Sequence, residues 1–191
     1  MGWASRWSTA AAWLRMGGHL PHRVCLSSVP HGCPCGFYSD NTRQCTCNQG
    51  LIARYLKRIS GPLLDRIDVH IEVPRLKPDE IMDKRQGEPS GAIRERVMRA
   101  RAMQSARYAT APIHCNAQIN SKMVRKFCAL AEDVEGLLRA AIDQFGLSAR
   151  AHDRIIKVAR TIADLDASET IGVAHCAEAI QYRSLDRKLW G

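Results

Sequence analysis

Apolar positions in the second half of the chain recur every three or four residues, and this spacing predicts a series of amphipathic helices. Gly91–Tyr108 carries Ile93, Val97, Ala100 and Met103 at that period. Asn120 and Ser121 open a helix running through Phe127 and Cys128, with Met123, Val124 and Phe127 inward. Ala131–Phe145 repeats the pattern with Val134, Leu137, Leu138, Ala141, Ile142 and Phe145, and Gly146 stops it. Ser148 caps Ala149–Leu165, whose Ile155, Ile156, Val158, Ala159, Ile162 and Leu165 form a broad apolar face. A last helix is expected at Val173–Tyr182. In the first half, Gln49–Ile59 reads as a helix with Leu51, Ile52, Tyr55, Leu56 and Ile59 on one stripe. Only one stretch there alternates strictly. Ile67, Val69, Ile71 and Val73 are separated by Asp68, His70 and Glu72 and bounded by Pro74, which predicts a β-strand. Arg23–Val29 is a second, shorter strand candidate.

Punctuation divides the chain. Pro74 and Pro78 mark a linker, and Gly87-Glu88-Pro89-Ser90-Gly91 marks another, so the expected boundary lies near residues 75–88. Residues 1–30 hold three of the four tryptophans and no sustained period. No apolar run approaches the roughly 18 residues of a membrane span, and Arg15 interrupts the N-terminal stretch before any cleavage signal. The 191 residues carry 28 Lys and Arg against 19 Asp and Glu, a net charge of +9, which fits a polyanionic partner. Aromatics make up only 6% of the chain, too few for an extended base-stacking platform. The densest basic element is Gly91–Tyr108, with Arg94, Arg96, Arg99, Arg101 and Arg107 against a single Glu95. That helix either contacts nucleic-acid phosphates or presents a solvated or interdomain face.

Four of the eight cysteines stand as two Cys-x-Cys pairs, Cys33/Cys35 and Cys45/Cys47. Two close pairs across a turn-rich loop can surround one Zn²⁺ tetrahedrally, and four thiolates leave no open position for catalysis. The alternative is two reduced pairs, or disulfides formed on oxidation. Clustering of this kind favours a reducing cytosol, hence a cytoplasmic protein. Cys25, Cys115, Cys128 and Cys176 are scattered and read as small core residues.

Ser60-Gly61-Pro62-Leu63-Leu64-Asp65-Arg66-Ile67-Asp68 follows the cysteines, Gly146–Ala151 reads GLSARA, and Tyr182–Arg187 reads YRSLDR. These motifs, in this order after the paired Cys-x-Cys, resemble the ComM/YifB family of magnesium-chelatase-like AAA+ ATPases over about Cys33–Lys188. The resemblance implies that Arg66 is an arginine finger inserted into the ATP site of a neighbouring subunit, a role suited to a guanidinium that never deprotonates. It implies that Arg150 is the sensor-2 arginine of a helical lid, reaching the ATP phosphates of its own subunit. A cation in the first turn opposes the helix dipole, so Arg150 calls for an anionic partner. From spacing alone, Arg66 could instead pair with Asp65 or Asp68, and Arg150 with Asp153.

The expected fold is the α/β end of an AAA+ core at residues 31–76, a linker at 77–90, and an all-α lid at 91–191. Residues 1–30 are left as a poorly defined segment. The resemblance further implies a homo-oligomeric ring, a hexamer, that couples hydrolysis of ATP with Mg²⁺ to DNA remodelling such as branch migration. No G-x-x-x-x-G-K-[ST] occurs in the chain, and no aliphatic strand ends in Asp-Glu. His31-Gly32 stands where the family places Asn-Pro before CPCG. The expectation is a truncated or misread N-terminus and no ATP hydrolysis by this chain alone. Two other functions compete: the ATPase subunit of a magnesium chelatase, and a non-enzymatic zinc module that binds nucleic acid.

Overall fold

The computed structural model describes residues 33–38, 43–57, 67–71, 76, 78–83 and 87–183. Among them every regular element is helical: α1 (Gln49–Leu56), α2 (Pro78–Met82), α3 (Ser90–Arg107), α4 (Ser121–Phe127), α5 (Glu132–Phe145), α6 (Ala149–Leu165) and α7 (Val173–Gln181). A 3₁₀ turn at Asn116–Gln118 precedes α4. Arg66, the 23–29 strand candidate, Cys25, residues 72–75 and the end of YRSLDR lie outside the described residues.

The helix starts follow from short polar side chains. Asn48 accepts from the Leu51 N–H at 2.8 Å, Asn120 from Met123 at 3.0 Å, and Ser148 from Ala151 at 3.2 Å. Each satisfies an amide that the first helical turn leaves without a partner. Gly146 ends α5 at φ 57°, a left-handed conformation that glycine adopts without a Cβ clash. The 77–90 linker contains α2, a single turn begun by Pro78 with Asp79 and Glu80 at its positive end. One expectation is corrected. The strand predicted over Ile67–Val73 is absent from its described part, 67–71, which bends at Asp68. Among the described residues no second strand is available to pair with it, and a strand needs a neighbour to take up its backbone groups. The His70 N–H donates to the Tyr182 carbonyl at 2.9 Å instead, and the Ile67 carbonyl accepts from Arg183.

α6 is the hub of the C-terminal helices, packing on α3, α4, α7 and the 3₁₀ turn. Ile155, Ile156 and Ala159 on α6 meet Val134, Leu138 and Ala141 of α5 and Cys176, Ala179 and Ile180 of α7 in one buried core. Cys128 and Cys176 are buried there, as expected of small apolar residues. Tyr108 and Phe127 pack edge to face, their centroids 5.1 Å apart.

A polar network runs beneath this core, and the sequence pattern gave no sign of it. Asp164, 1% exposed, receives Arg107 through two hydrogen bonds of 3.0 and 2.5 Å, Arg160 at 3.1 Å and the Asn116 amide at 2.8 Å. Arg160 also donates to the Glu169 and Ser168 carbonyls. Burial raises the Asp164 carboxyl, but Arg107 and Asn116 outweigh it and hold the group below the ordinary carboxylate range. The network therefore joins α3, the 3₁₀ turn, α6 and the loop after α6. Arg107, one of the cations counted on this helix from sequence, is half-buried and turned toward Asp164.

Candidate functional site

The thiol cluster is built by a turn and a helix. Gly36, at φ 82°, donates to the Cys33 carbonyl at 3.1 Å and folds the first Cys-x-Cys back on itself. The second pair leads directly into Asn48 and α1, whose Ile52 is buried against the cluster with Tyr38 alongside. The result places the Cys33 and Cys35 sulfurs 3.2 Å apart, Cys33 and Cys45 3.7 Å apart, and Cys35 and Cys45 3.5 Å apart. All four sulfurs, Cys47 included, lie within 4.8 Å of one another. Zinc–thiolate bonds of about 2.3 Å at tetrahedral angles require sulfur separations of about 3.8 Å. The donor set and its spacing thus fit a closed four-thiolate metal site.

The thiols also differ in acidity. A Phe37 backbone amide and the Cys33 thiol lower Cys35 to about 5. The Cys47 backbone pulls Cys45 down, yet desolvation and its Cys35 and Cys33 neighbours together push it up to about 12.

The second site lies at the opening of α6. Arg150 occupies its first turn and is exposed, with no acidic residue in that turn. Asp153, the partner considered from sequence, is engaged by the Ser121 hydroxyl at 2.5 Å and by His152 at 3.1 Å. One turn further along, Arg154 pairs with Asp68 of the LLDRID segment. Asp68 is therefore taken by α6. α3 holds Arg94, Arg99 and Arg101 exposed, while Arg96 makes a fork-like pair with Glu88 at 2.8 and 3.0 Å. Ile93 and Val97 are also exposed, so only the C-terminal part of α3, from Ala100, is packed.

Comparison with known proteins assigns this arrangement to a class. Residues 87–183 match the family model described as magnesium chelatase, subunit ChlI C-terminal, and residues 16–81 match the one described as magnesium chelatase, subunit ChlI. The chain is 42% identical over 171 residues to a protein of Escherichia coli named YifB and described as uncharacterized, covering 88% of this chain and 32% of that one. It is 39% identical over 171 residues to the competence protein ComM of Haemophilus influenzae, covering 89% and 32% respectively. An uncharacterized protein of Mycobacterium bovis is 31% identical over 163 residues, with 85% and 32% covered. The chain belongs to the ComM/YifB family of magnesium-chelatase-like proteins, and it spans about a third of the length of these relatives. Among the described residues no helix is long and apolar enough to cross a membrane.

Proposed function

We propose that this chain is the C-terminal portion of an AAA+ ATPase that assembles as a homo-oligomeric ring, a hexamer, and remodels DNA at the expense of ATP. In this reading residues 31–76 end the α/β core and residues 91–191 form its lid, joined by the 77–90 segment. Arg66 acts in trans as an arginine finger and Arg150 in cis as a sensor on the same nucleotide chemistry. A core bearing the P-loop and Mg²⁺ would hold the phosphates, which this chain's sequence has no Gly-rich loop to cradle.

The observation that carries the reading is Arg150, an exposed guanidinium at the positive end of α6 with no carboxylate on it among the described residues. A cation kept where the dipole disfavours it, with Asp153 occupied elsewhere, is explained by an anion such as a nucleotide phosphate. The competence protein among the relatives supports DNA as the partner of the ring, and the exposed arginines Arg94, Arg99 and Arg101, with Arg96 half-buried beside Glu88, supply a path for its backbone. Cys33, Cys35, Cys45 and Cys47 would hold one structural Zn²⁺. When bound it supplies charge neutralisation and a covalent staple for the turn before α1.

The test is nucleotide affinity in a protein that carries a P-loop core ahead of this chain. Arg150→Ala should weaken ATP binding about tenfold or more, whereas Arg66→Ala should leave binding nearly unchanged and remove hydrolysis. Unaltered binding and hydrolysis in both variants would overturn the reading. The magnesium-chelatase reading draws on the same family descriptions; the competence protein among the relatives favours the DNA-remodelling reading.

A further inference from the structure

The thiol cluster has an inner and an outer side. Cys33 is 1% exposed and packs on Ile52 of α1, whereas Cys35, Cys45 and Cys47 are half-buried. The Cys33 and Cys35 sulfurs stand 3.2 Å apart, closer than either stands to Cys45, at 3.7 and 3.5 Å. The Gly36 amide donates to the Cys33 carbonyl, so this pair is carried on one closed turn of its own.

Hydroperoxides oxidise thiols that solvent reaches, and a second thiol within contact distance converts the first product to a disulfide. Cys35 meets both conditions. Solvent reaches its sulfur, and the sulfur closest to it among the measured pairs belongs to a residue that solvent does not reach.

We propose that Cys35 is a hydroperoxide-sensitive modification site and that Cys33 resolves it as a disulfide. The Cys35 sulfur attacks a peroxide oxygen and keeps it as a sulfenic acid; the O–O bond breaks, and water or an alcohol leaves with the thiol proton. The Cys33 sulfur then attacks the Cys35 sulfur. The S–O bond breaks, the S–S bond forms, and the oxygen leaves as a second water with the Cys33 proton. Two thiols lose two electrons and one peroxide gains them; where the sulfurs are held as thiolates, solvent supplies the protons.

Two consequences follow for the fold. Closing 3.2 Å to a bond of about 2.05 Å draws the Cys33 sulfur toward Cys35 and off Ile52. Ile52 is the only fully buried residue of α1 among the described residues, and an eight-residue helix does not hold by itself in water. The second consequence rests on the four-thiolate zinc site proposed above: the bridge takes two of its four donors, and Cys45 with Cys47 cannot close a tetrahedral shell. A bridge across a single residue closes a small, strained ring, the kind that dithiols reduce readily, so the modification is reversible.

The test treats the reduced chain with hydrogen peroxide and follows peptide maps, zinc release to a chromogenic chelator, and amide exchange. A Cys33–Cys35 bridge should appear with a mass loss of about 2 Da. Bound zinc should leave, and exchange over Gln49–Leu56 should speed about tenfold or more. A dithiol with added Zn²⁺ should reverse all three. Cys33→Ser should leave Cys35 as a sulfenic acid that a cyclic dione traps; because that variant also lacks a metal ligand, the peptide map of the parent chain reads the same step independently. A bridge from Cys35 to Cys45 or Cys47 would overturn the proposal, as would cluster thiols still intact once Cys115 is oxidised. Unchanged exchange in α1 of a bridged chain would overturn it as well. A reduced chain that holds no metal is the separate failure of the zinc reading, and the bridge and exchange are read in it all the same.

Discussion

At the scale of single residues, the thiol cluster gives the most direct prediction. Protein purified under reducing conditions should contain about one zinc per chain, and Cys45→Ser should lose most of it. Chelation should loosen α1, because Cys33 and Ile52 bury each other only while the preceding turn is held. A metal-free chain with four titratable thiols and an unchanged α1 would remove zinc from the account. Asp164 gives a second. Its carboxylate is buried between Arg107 and Arg160, so Asp164→Asn leaves two guanidinium groups under-compensated and should cost about 3–5 kcal/mol. Its pKa is lowered in the fold, so the stabilisation is present above the unfolded value near 4 and fades as pH falls through the folded value. Thermal melts from neutral to acid pH should show that loss in the parent chain and a flatter profile in the Asn variant. Equal acid sensitivity in both would assign it to other carboxylates.

At the scale of elements, the helices were legible because local chemistry marks their ends. Asn48, Asn120 and Ser148 cap where short polar side chains precede an apolar period, and Gly146 terminates α5. The same signals put the cysteines around a turn, and the sulfur positions agree with that reading. What stayed hidden depended on partners distant in the chain. Arg160 and Asp164 have the i, i+4 spacing of an ordinary surface pair, and only the packing of α3 and the 3₁₀ turn over them makes the pair an interior one. The alternation of Ile67–Val73 is a true strand pattern, but a pattern of side chains does not supply the neighbouring strand that pairing requires. Arg107 counts among the cations of its helix in sequence, and its inward turn depends on Asp164, 57 residues on. The rest of that face belongs to α3 and yields a third prediction. If Arg94, Arg96, Arg99 and Arg101 follow a DNA backbone, affinity should fall steeply with salt. Replacing Arg99 and Arg101 with Ala should flatten the log–log slope by up to about 2. An unchanged slope would assign them to solubility; Arg96 is left in place because Glu88 already engages it.

For the whole molecule, the C-terminal helical unit presents Arg150 and holds residues 67–70 against its helices. Its core fixes α6, α6 opens with Arg150, and the ties through Arg154 and Arg183 secure the chain just beyond Arg66. In the proposed ring, Arg66 and Arg150 serve two different nucleotide sites, and subunit mixing separates them. An Arg66→Ala protein with an intact P-loop is combined with a P-loop variant that keeps Arg66, and hydrolysis is followed once subunit exchange is complete. With Arg66 acting in trans, each parent is inactive, and the mixture recovers hydrolysis wherever an intact P-loop faces an intact finger. Mixed rings that remain as inactive as either parent would contradict the claim.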